Sequence, residues 1–376
     1  MLDFTSVLYL GLRHAYHTLR PWAQLTTGWP AALEPAPEAM ALARDLAQLV
    51  GCERAVLAPS TLHLFWDLFD VLSRDHIAIY ADGGTYPIAL FGIGRAAAKG
   101  IPTSTFRTHD PAALASLLHR DQRTGRRPIV VTDGLCTATG RTAPLPEYLK
   151  PVQERNGYLV IDDTQALGIL GRHPSPRAPY GSGGAGSPAW YGIKGRELIV
   201  ASSLAKGFGA PLAAIAGSAQ AISKFEELSS TRVHSSPPSL AAIAAGERAL
   251  IINTGQGDNL RSRLWKLVRR FRDHLRQAGL SAFGGLFPVQ TLKPIPDVEA
   301  GQLHDRLTSL GVKTVLHQAR NGLDLRLSFL ITTLHSPADI DRGIDALQRA
   351  CALTRRQFPS RESIFVDYRV SGTVPV

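Results

Sequence analysis

The sequence predicts an α/β protein: a large, mainly parallel sheet domain covered by helices, followed by a smaller α+β domain. Three observations carry this. Short runs at 77–80, 129–132, 158–161, 198–201 and 213–216 are apolar at consecutive positions, Thr132 excepted, rather than at alternate ones, which is the pattern of strands buried on both faces. Helical patterns such as 110–119 separate several of these runs, and strand–helix alternation is what parallel crossovers require. With 376 residues, 44% hydrophobic and 19% charged, the chain is too long for one small module and too apolar to be disordered.

After about residue 235 the character changes. An Ala-rich helix is expected at 239–252. A second, arginine-rich helix follows at 261–276, with Leu260, Leu264, Leu267, Val268, Phe271 and Leu275 on one face and arginines on the other. Gly279 is placed to end it as a C′ glycine. Strand-like runs at 287–292 and 323–328 alternate with helices at 300–310 and 337–353. The division that results is an N-terminal arm and part of the small domain at 1–45, a large domain at 46–255, a small C-terminal domain at 256–353 and a tail at 354–376. Residues 172–196 read as loop; their Gly181–Gly186 run follows no clear strand and opens no clear helix, so it is a weak phosphate cradle.

Several function classes fall away. No run of about 18 apolar residues offers a membrane span, and Met1-Leu2-Asp3-Phe4 does not begin a secretory signal. Cys52, Cys136 and Cys351 lie far apart and form neither a zinc set nor a disulfide framework, so no metal is expected and a reducing cytoplasm fits. The formal charge of +10 comes mostly from arginines interleaved with acids. The densest cluster sits on a helix and reads as a solvated face rather than a nucleic-acid stripe; the surplus suits an anionic substrate or cofactor.

Two segments could carry chemistry. Lysine is scarce, and Lys206 stands out in Ser202-Ser203-Leu204-Ala205-Lys206-Gly207-Phe208-Gly209, directly after a buried strand. Among small residues at a strand exit its amine can be desolvated, which lowers its pKa and makes it a nucleophile toward an aldehyde. Alone, the segment fits a surface lysine in a Gly-rich turn equally well. In Val160-Ile161-Asp162-Asp163-Thr164-Gln165, two acids end an apolar strand, where open parallel sheets bind ligands. A carboxylate there can keep a ring nitrogen protonated; an Asp can also simply form a turn or helix N-cap. The pairing of Asp162 with Lys206 on a later strand favours the chemical reading.

These segments resemble fold-type-I pyridoxal phosphate (PLP) enzymes of the class I/II aminotransferase superfamily, with the aspartate aminotransferase-like fold, and most of all the α-oxoamine synthase group. The likeness runs from Leu2-Asp3-Phe4-Thr5-Ser6-Val7-Leu8-Tyr9-Leu10-Gly11-Leu12 to Leu325-Arg326-Leu327-Ser328. The resemblance implies that Lys206 forms the Schiff base with pyridoxal 5'-phosphate, Asp162 binds the pyridine nitrogen and Ser203 the phosphate. It places Thr137 near the cofactor O3′ or the substrate carboxylate, and Ser60, Thr61 and Leu62 in the turn whose N–H groups bind the phosphate at a helix N-terminus. Tyr86 falls where the family has a ring-stacking His, Gln165 where it has a second His, and Arg326 where an arginine binds the amino-acid carboxylate. Ser236 lies in a segment resembling one that reaches the neighbouring subunit's phosphate, implying a homodimer with shared active sites. Read without the family, Tyr86 is an ordinary half-buried aromatic, Arg326 a surface residue between strand apolars, Cys136 core filler and His63 a helix-face histidine.

The implied activity is decarboxylative condensation of an amino acid with an acyl-CoA in a biosynthetic pathway. Three departures bear on it: Tyr86 and Gln165 replace histidines, and Leu25-Thr26-Thr27-Gly28-Trp29-Pro30-Ala31-Ala32 stands where the family has a Gly-rich loop. They keep an aminotransferase or related lyase of the same fold as the alternative. A catalytically inactive partner subunit is a third reading, against which Lys206 and Asp162 argue.

Overall fold

The computed structural model describes residues 1–137, 139–318 and 324–357, the side chains of 354–357 excepted. The expected tail beyond residue 357, and Leu323 at the start of an expected strand, lie outside the described residues.

A seven-stranded sheet forms the centre, in the order Arg54–Ala58, Ala213–Gly217, Leu198–Ser203, Tyr158–Asp162, Arg127–Asp133, Ile77–Asp82, Thr103–Phe106. The last five are mutually parallel. The apolar runs are buried on both sides, as expected. Ile79, Ile129, Val131 and Val160 face Phe65, Phe69 and Ile93 of the helices Thr61–Leu72 and Pro87–Ala98. Their neighbours Ala78, Tyr80, Val130, Leu159 and Ile161 face Leu114, Tyr148 and Val152 of the helices Pro111–Arg120 and Leu145–Gln153. Fully burying one such aliphatic side chain contributes roughly 1.5–3 kcal/mol, so a polar residue at any of these positions would be expensive.

Ala213–Gly217 departs from the parallel pattern and runs antiparallel to both neighbours. Its connection from Leu198–Ser203 is only residues 204–212, short of the dozen or more that a parallel crossover needs. Two strands have no counterpart in the apolar runs. Thr103–Phe106 is an edge strand with three of its four residues outside the core, and Arg54–Ala58, at the other edge, is short and follows charged residues.

The smaller α+β part is a four-stranded sheet in the order Ala282–Phe283, Val289–Leu292, Leu325–Leu330, Val315–Gln318, with the helices Ala300–Ser309 and Pro337–Gln357. The N-terminus belongs to it. Leu2–Asp3 pairs with Val312–Lys313, and Phe4 packs between Phe329 at 5.3 Å and His335 at 4.5 Å. Among the described residues no helix is long and apolar enough to cross a membrane.

The two helices expected at 239–252 and 261–276 are one, Leu240–Gln277, which runs unbroken through residues 255 and 256; Gly279 follows its end with φ 71°. Ser239 caps it by accepting from Ala242 N at 3.2 Å. The glycines at 255 and 257 both stay helical. A Cβ at Gly257 would come within 2.6 Å of Asn253 Oδ1 and 2.7 Å of Arg261 Nη2: the missing side chain makes room for an inward arginine. Arg261, expected on the solvated face, is 2% exposed. It donates to Gly168 O at 2.9 Å, Asn253 Oδ1 at 2.8 Å and Asp258 Oδ1 at 2.6 Å.

Those contacts also explain the Gly-rich loop. Asn253 Nδ2 donates to Gly183 O, Gly183 N donates to Asp258 Oδ1, and Gly168 N donates to Gly184 O. The loop does open a helix, Ser187–Tyr191, but a short one. Its start is fastened to buried Asp163, which accepts from Ser187 N at 2.9 Å and from the Ser187 hydroxyl. The loop is thus tied to the turn that carries Asp162.

Candidate active site

Strand register brings the candidate residues to one end of the sheet. Asp133 lies opposite Asp162, and Asp162 opposite Ala201. Two residues beyond Ala201, Ser203 pairs with Ala213, which pairs in turn with Ala58. The carboxyl ends of the parallel strands therefore present Asp133, Asp162 and Ser203 side by side, with Ser60 just past Ala58. This is the edge at which open α/β sheets hold ligands.

Lys206 follows in the turn after Leu198–Ser203. Ser203 braces that turn by accepting from Ala205 N at 3.3 Å, while Ser203 N donates to Thr164 Oγ1 at 2.9 Å. Gly207 permits the close approach of this turn to the next: a Cβ there would lie 2.4 Å from Leu167 O. Lys206 Nζ sits 5.7 Å from the centroid of the Tyr86 ring. Burial lowers the pKa of the amine, and the negative charges of Asp162 and Asp133 pull it part of the way back. Asp162 is buried as well. Burial raises its pKa, opposed by donation from the Thr164 hydroxyl and amide and by the charge on Lys206; Thr164 N lies 3.0 Å from Asp162 Oδ1.

Tyr86 is positioned by carboxylates. Buried Asp82 accepts from Gly84 N at 2.6 Å, His109 N at 3.0 Å and the Tyr148 hydroxyl at 2.8 Å, fixing the turn through residues 82–86. Asp133 Oδ1 accepts from Tyr86 N at 2.9 Å. The side chain is 44% exposed at the start of the helix Pro87–Ala98.

The remaining candidates are distributed around this cluster. Ser60 is the N-cap of the helix Thr61–Leu72, but its hydroxyl pairs with His63 Nδ1 at 2.9 Å and makes no cap hydrogen bond to the helix amides. His63 thereby has a local task. Thr61 and Leu62 form the first turn, and Leu62 is exposed. Gln165 Oε1 accepts from the Tyr9 hydroxyl at 2.8 Å. Thr137 is partly buried in the turn after Leu135–Cys136. Ser236 is exposed, beyond the helix Ser230–His234. Arg326 lies in the small domain, on the same strand face as Ser328, with its guanidinium 3.2 Å from Asp324 Oδ2. His317 pairs with Arg326 across the ladder and reaches Ser328 Oγ at 2.9 Å. Leu327 and Phe329 take the opposite, core-facing side, so Arg326 belongs to a polar face.

Reasoning from sequence passed over Asp133 and Tyr9. Asp133 ends an apolar run as Asp162 does, so the same signal was available for it. Tyr9 meets Gln165 across 156 positions of chain, and nothing local announces that contact.

The cluster fits pyridoxal phosphate on its own geometry. It offers a desolvated amine for an aldehyde, a buried carboxylate for a basic ring nitrogen, an aromatic face beside the amine and a helix N-terminus whose N-cap hydroxyl is turned aside, for a dianion.

The sequence profile of the aminotransferase class I and II family matches residues 34–347. Among curated proteins, the 8-amino-7-oxononanoate synthase of Citrobacter koseri is 28% identical over 362 residues, covering 93% of this chain and 89% of that protein. Among solved structures, Sphingomonas wittichii serine palmitoyltransferase superposes with a TM-score of 0.81 at 16% identity, over 94% of this chain and 87% of that one. The serine palmitoyltransferase of S. paucimobilis, solved with a PLP–myriocin aldimine bound, gives 0.81 at 15% identity over the same shares of 94% and 87%. At these identities the structural likeness speaks for the fold.

Proposed function

This chain belongs to the aminotransferase class I and II family, and from that premise we propose that it is a PLP-dependent transferase that condenses an amino acid with an acyl thioester, releasing carbon dioxide and the free thiol. The observation that carries the reading is the buried amine of Lys206 beside the buried carboxylate of Asp162 and under the ring of Tyr86. Similarity to 8-amino-7-oxononanoate synthase over 93% of the chain supports the reaction class.

Bound at this site, pyridoxal phosphate supplies an electron sink for the carbanion left when a bond to the amino acid's α-carbon breaks. Lys206 Nζ is the amine that would hold the cofactor's aldehyde and, when free, would accept the α-proton; burial lowers its pKa, which favours that role. Asp162 holds the proton on the ring nitrogen. The first turn of the helix Thr61–Leu72, with Ser60, Thr61 and Leu62, takes the phosphate together with the Ser203 hydroxyl. Tyr86 would cover one ring face, Gln165 would serve the phenolic-oxygen side, and Thr137 would serve that side or the substrate carboxylate. Arg326 docks the substrate carboxylate as a bidentate pair.

A homodimer with shared sites fits the surface. Leu62, Trp66, Tyr86, Leu90 and Phe91 are each at least 39% exposed on and between the packed helices Thr61–Leu72 and Pro87–Ala98. A second copy covering that face would account for it, and would give the exposed Ser236 a phosphate to reach. The three cysteines are free, in keeping with a cytoplasmic enzyme.

The test is to incubate holoenzyme with amino acids, with and without acyl-CoAs, and to assay free thiol. Thiol release that needs both substrates is expected. Keto-acid formation without any acyl-CoA would replace this reading with an aminotransferase, the alternative that Tyr86 and Gln165 in place of histidines favour.

A further inference from the structure

Tyr9 is 1% exposed and comes from the N-terminal arm. Its carbonyl accepts from Thr333 N at 2.9 Å, and its ring meets Phe287 edge-on at 5.4 Å, so its backbone and ring are held by the small-domain side. Its hydroxyl crosses to the large domain, donating to Gln165 Oε1 at 2.8 Å. Burial raises the phenol's pKa, so it remains a donor throughout the neutral range.

Gln165 sits on the turn that carries Asp162. A glutamine amide has an acceptor end and a donor end of nearly the same shape, and which end faces a ligand is set by the hydrogen bonds around it. Left alone, the side chain could present either oxygen or NH2. The Tyr9 hydroxyl donates to the oxygen end, which leaves Nε2 as the end that can donate elsewhere. A deprotonated phenolic oxygen on a bound ring needs such a donor.

We propose that Tyr9 is a positioning residue, which orients the Gln165 amide so that its NH2 end donates into the cofactor site and thereby couples the seating of the N-terminal arm to cofactor affinity. The proposal rests on the PLP reading of the site.

The experiment is an equilibrium titration of purified apoprotein with pyridoxal phosphate, followed by protein fluorescence, for wild type, Tyr9→Phe, Gln165→Ala and the double variant. Tyr9→Phe removes one hydroxyl and keeps the ring packing. It is expected to weaken binding about five-fold, the size of one lost hydrogen bond, and to leave the double variant no weaker than Gln165→Ala alone. Thermal unfolding of the apoproteins separates the two roles, since a purely structural tyrosine would lower the melting temperature in Tyr9→Phe and leave affinity unchanged. An equal loss of affinity in both backgrounds, or wild-type affinity in Tyr9→Phe, overturns the proposal while leaving the PLP reading in place. A wild-type protein that does not bind pyridoxal phosphate overturns both.

Discussion

Lys206 Nζ and the ring of Tyr86 lie 5.7 Å apart, within the range of a cation–π attraction. The two residues come from different strand ends, 120 positions apart in sequence, and meet because register aligns those ends. A planar group bound between them would displace the ammonium from the ring face and take its place.

The first expected outcome concerns that amine. Purified protein supplied with pyridoxal phosphate should be yellow, and Lys206→Ala should lose the band. Borohydride trapping followed by peptide mass spectrometry should place the adduct on Lys206. An adduct found on another lysine would move the site.

Asp162→Asn tests the neighbouring carboxylate. Asparagine keeps the shape and an acceptor for Thr164 N but cannot hold a ring nitrogen protonated. Cofactor binding should largely survive, while turnover falls by about two orders of magnitude or more, the range for losing a positioned proton-holding group. Unchanged turnover would show that Asp162 has been given the wrong task.

Asp163 makes a pH-dependent contribution of the opposite kind to an ordinary ion pair. Burial raises its carboxyl from 3.8 to about 7, against donation from the Ser187 hydroxyl and amide. Below about pH 4 the group is protonated in folded and unfolded chains alike and adds no penalty. Between about pH 4 and 7 the unfolded chain releases the proton and the folded one retains it, so stability falls as pH rises; above about 7 the loss is complete, on the order of 4 kcal/mol. Asp163→Asn should flatten that slope. Melting temperatures of apoprotein from pH 5 to 8 would show it, and parallel curves for the two proteins would count against a neutral Asp163.

Some of this was legible in the sequence and some could not have been. Asp162 ends a fully apolar run and Lys206 lies in the turn just beyond another, and a polar residue at such a place is conspicuous. Asp133 carries the same mark but sits in a motif whose chemistry drew attention to Thr137 instead. The strand Thr103–Phe106 was hidden because an edge strand has no need to be apolar on both faces. Arg261 was hidden for a different reason. Helical spacing sorts residues into faces by hydrophobicity, and a buried arginine satisfied by Gly168 O, Asn253 and Asp258 violates that rule while obeying the deeper one, that a buried polar group must be paired. Tyr9 and Gln165 meet only through tertiary packing.

The helix Leu240–Gln277 gives a pair of substitutions with opposite signs. Helix propensity alone favours Ala over Gly by about 1 kcal/mol at any interior position. At Gly255 a Cβ would meet nothing within 4 Å, so Gly255→Ala should stabilise the protein by about that amount. At Gly257 the Cβ would press on Asn253 Oδ1 and Arg261 Nη2 at 2.6 and 2.7 Å. Both belong to the buried network that holds the 181–187 loop, and moving them breaks hydrogen bonds to a charged group, worth about 1.5–3 kcal/mol apiece. The loss exceeds the gain in propensity, so Gly257→Ala should lower the melting temperature. It should also loosen the loop, seen as faster amide exchange at Gly183 and Gly184. Were both alanines equally stabilising, Arg261 could not be held as its hydrogen bonds indicate, and the tie between this helix and the turn bearing Asp162 would be lost with it.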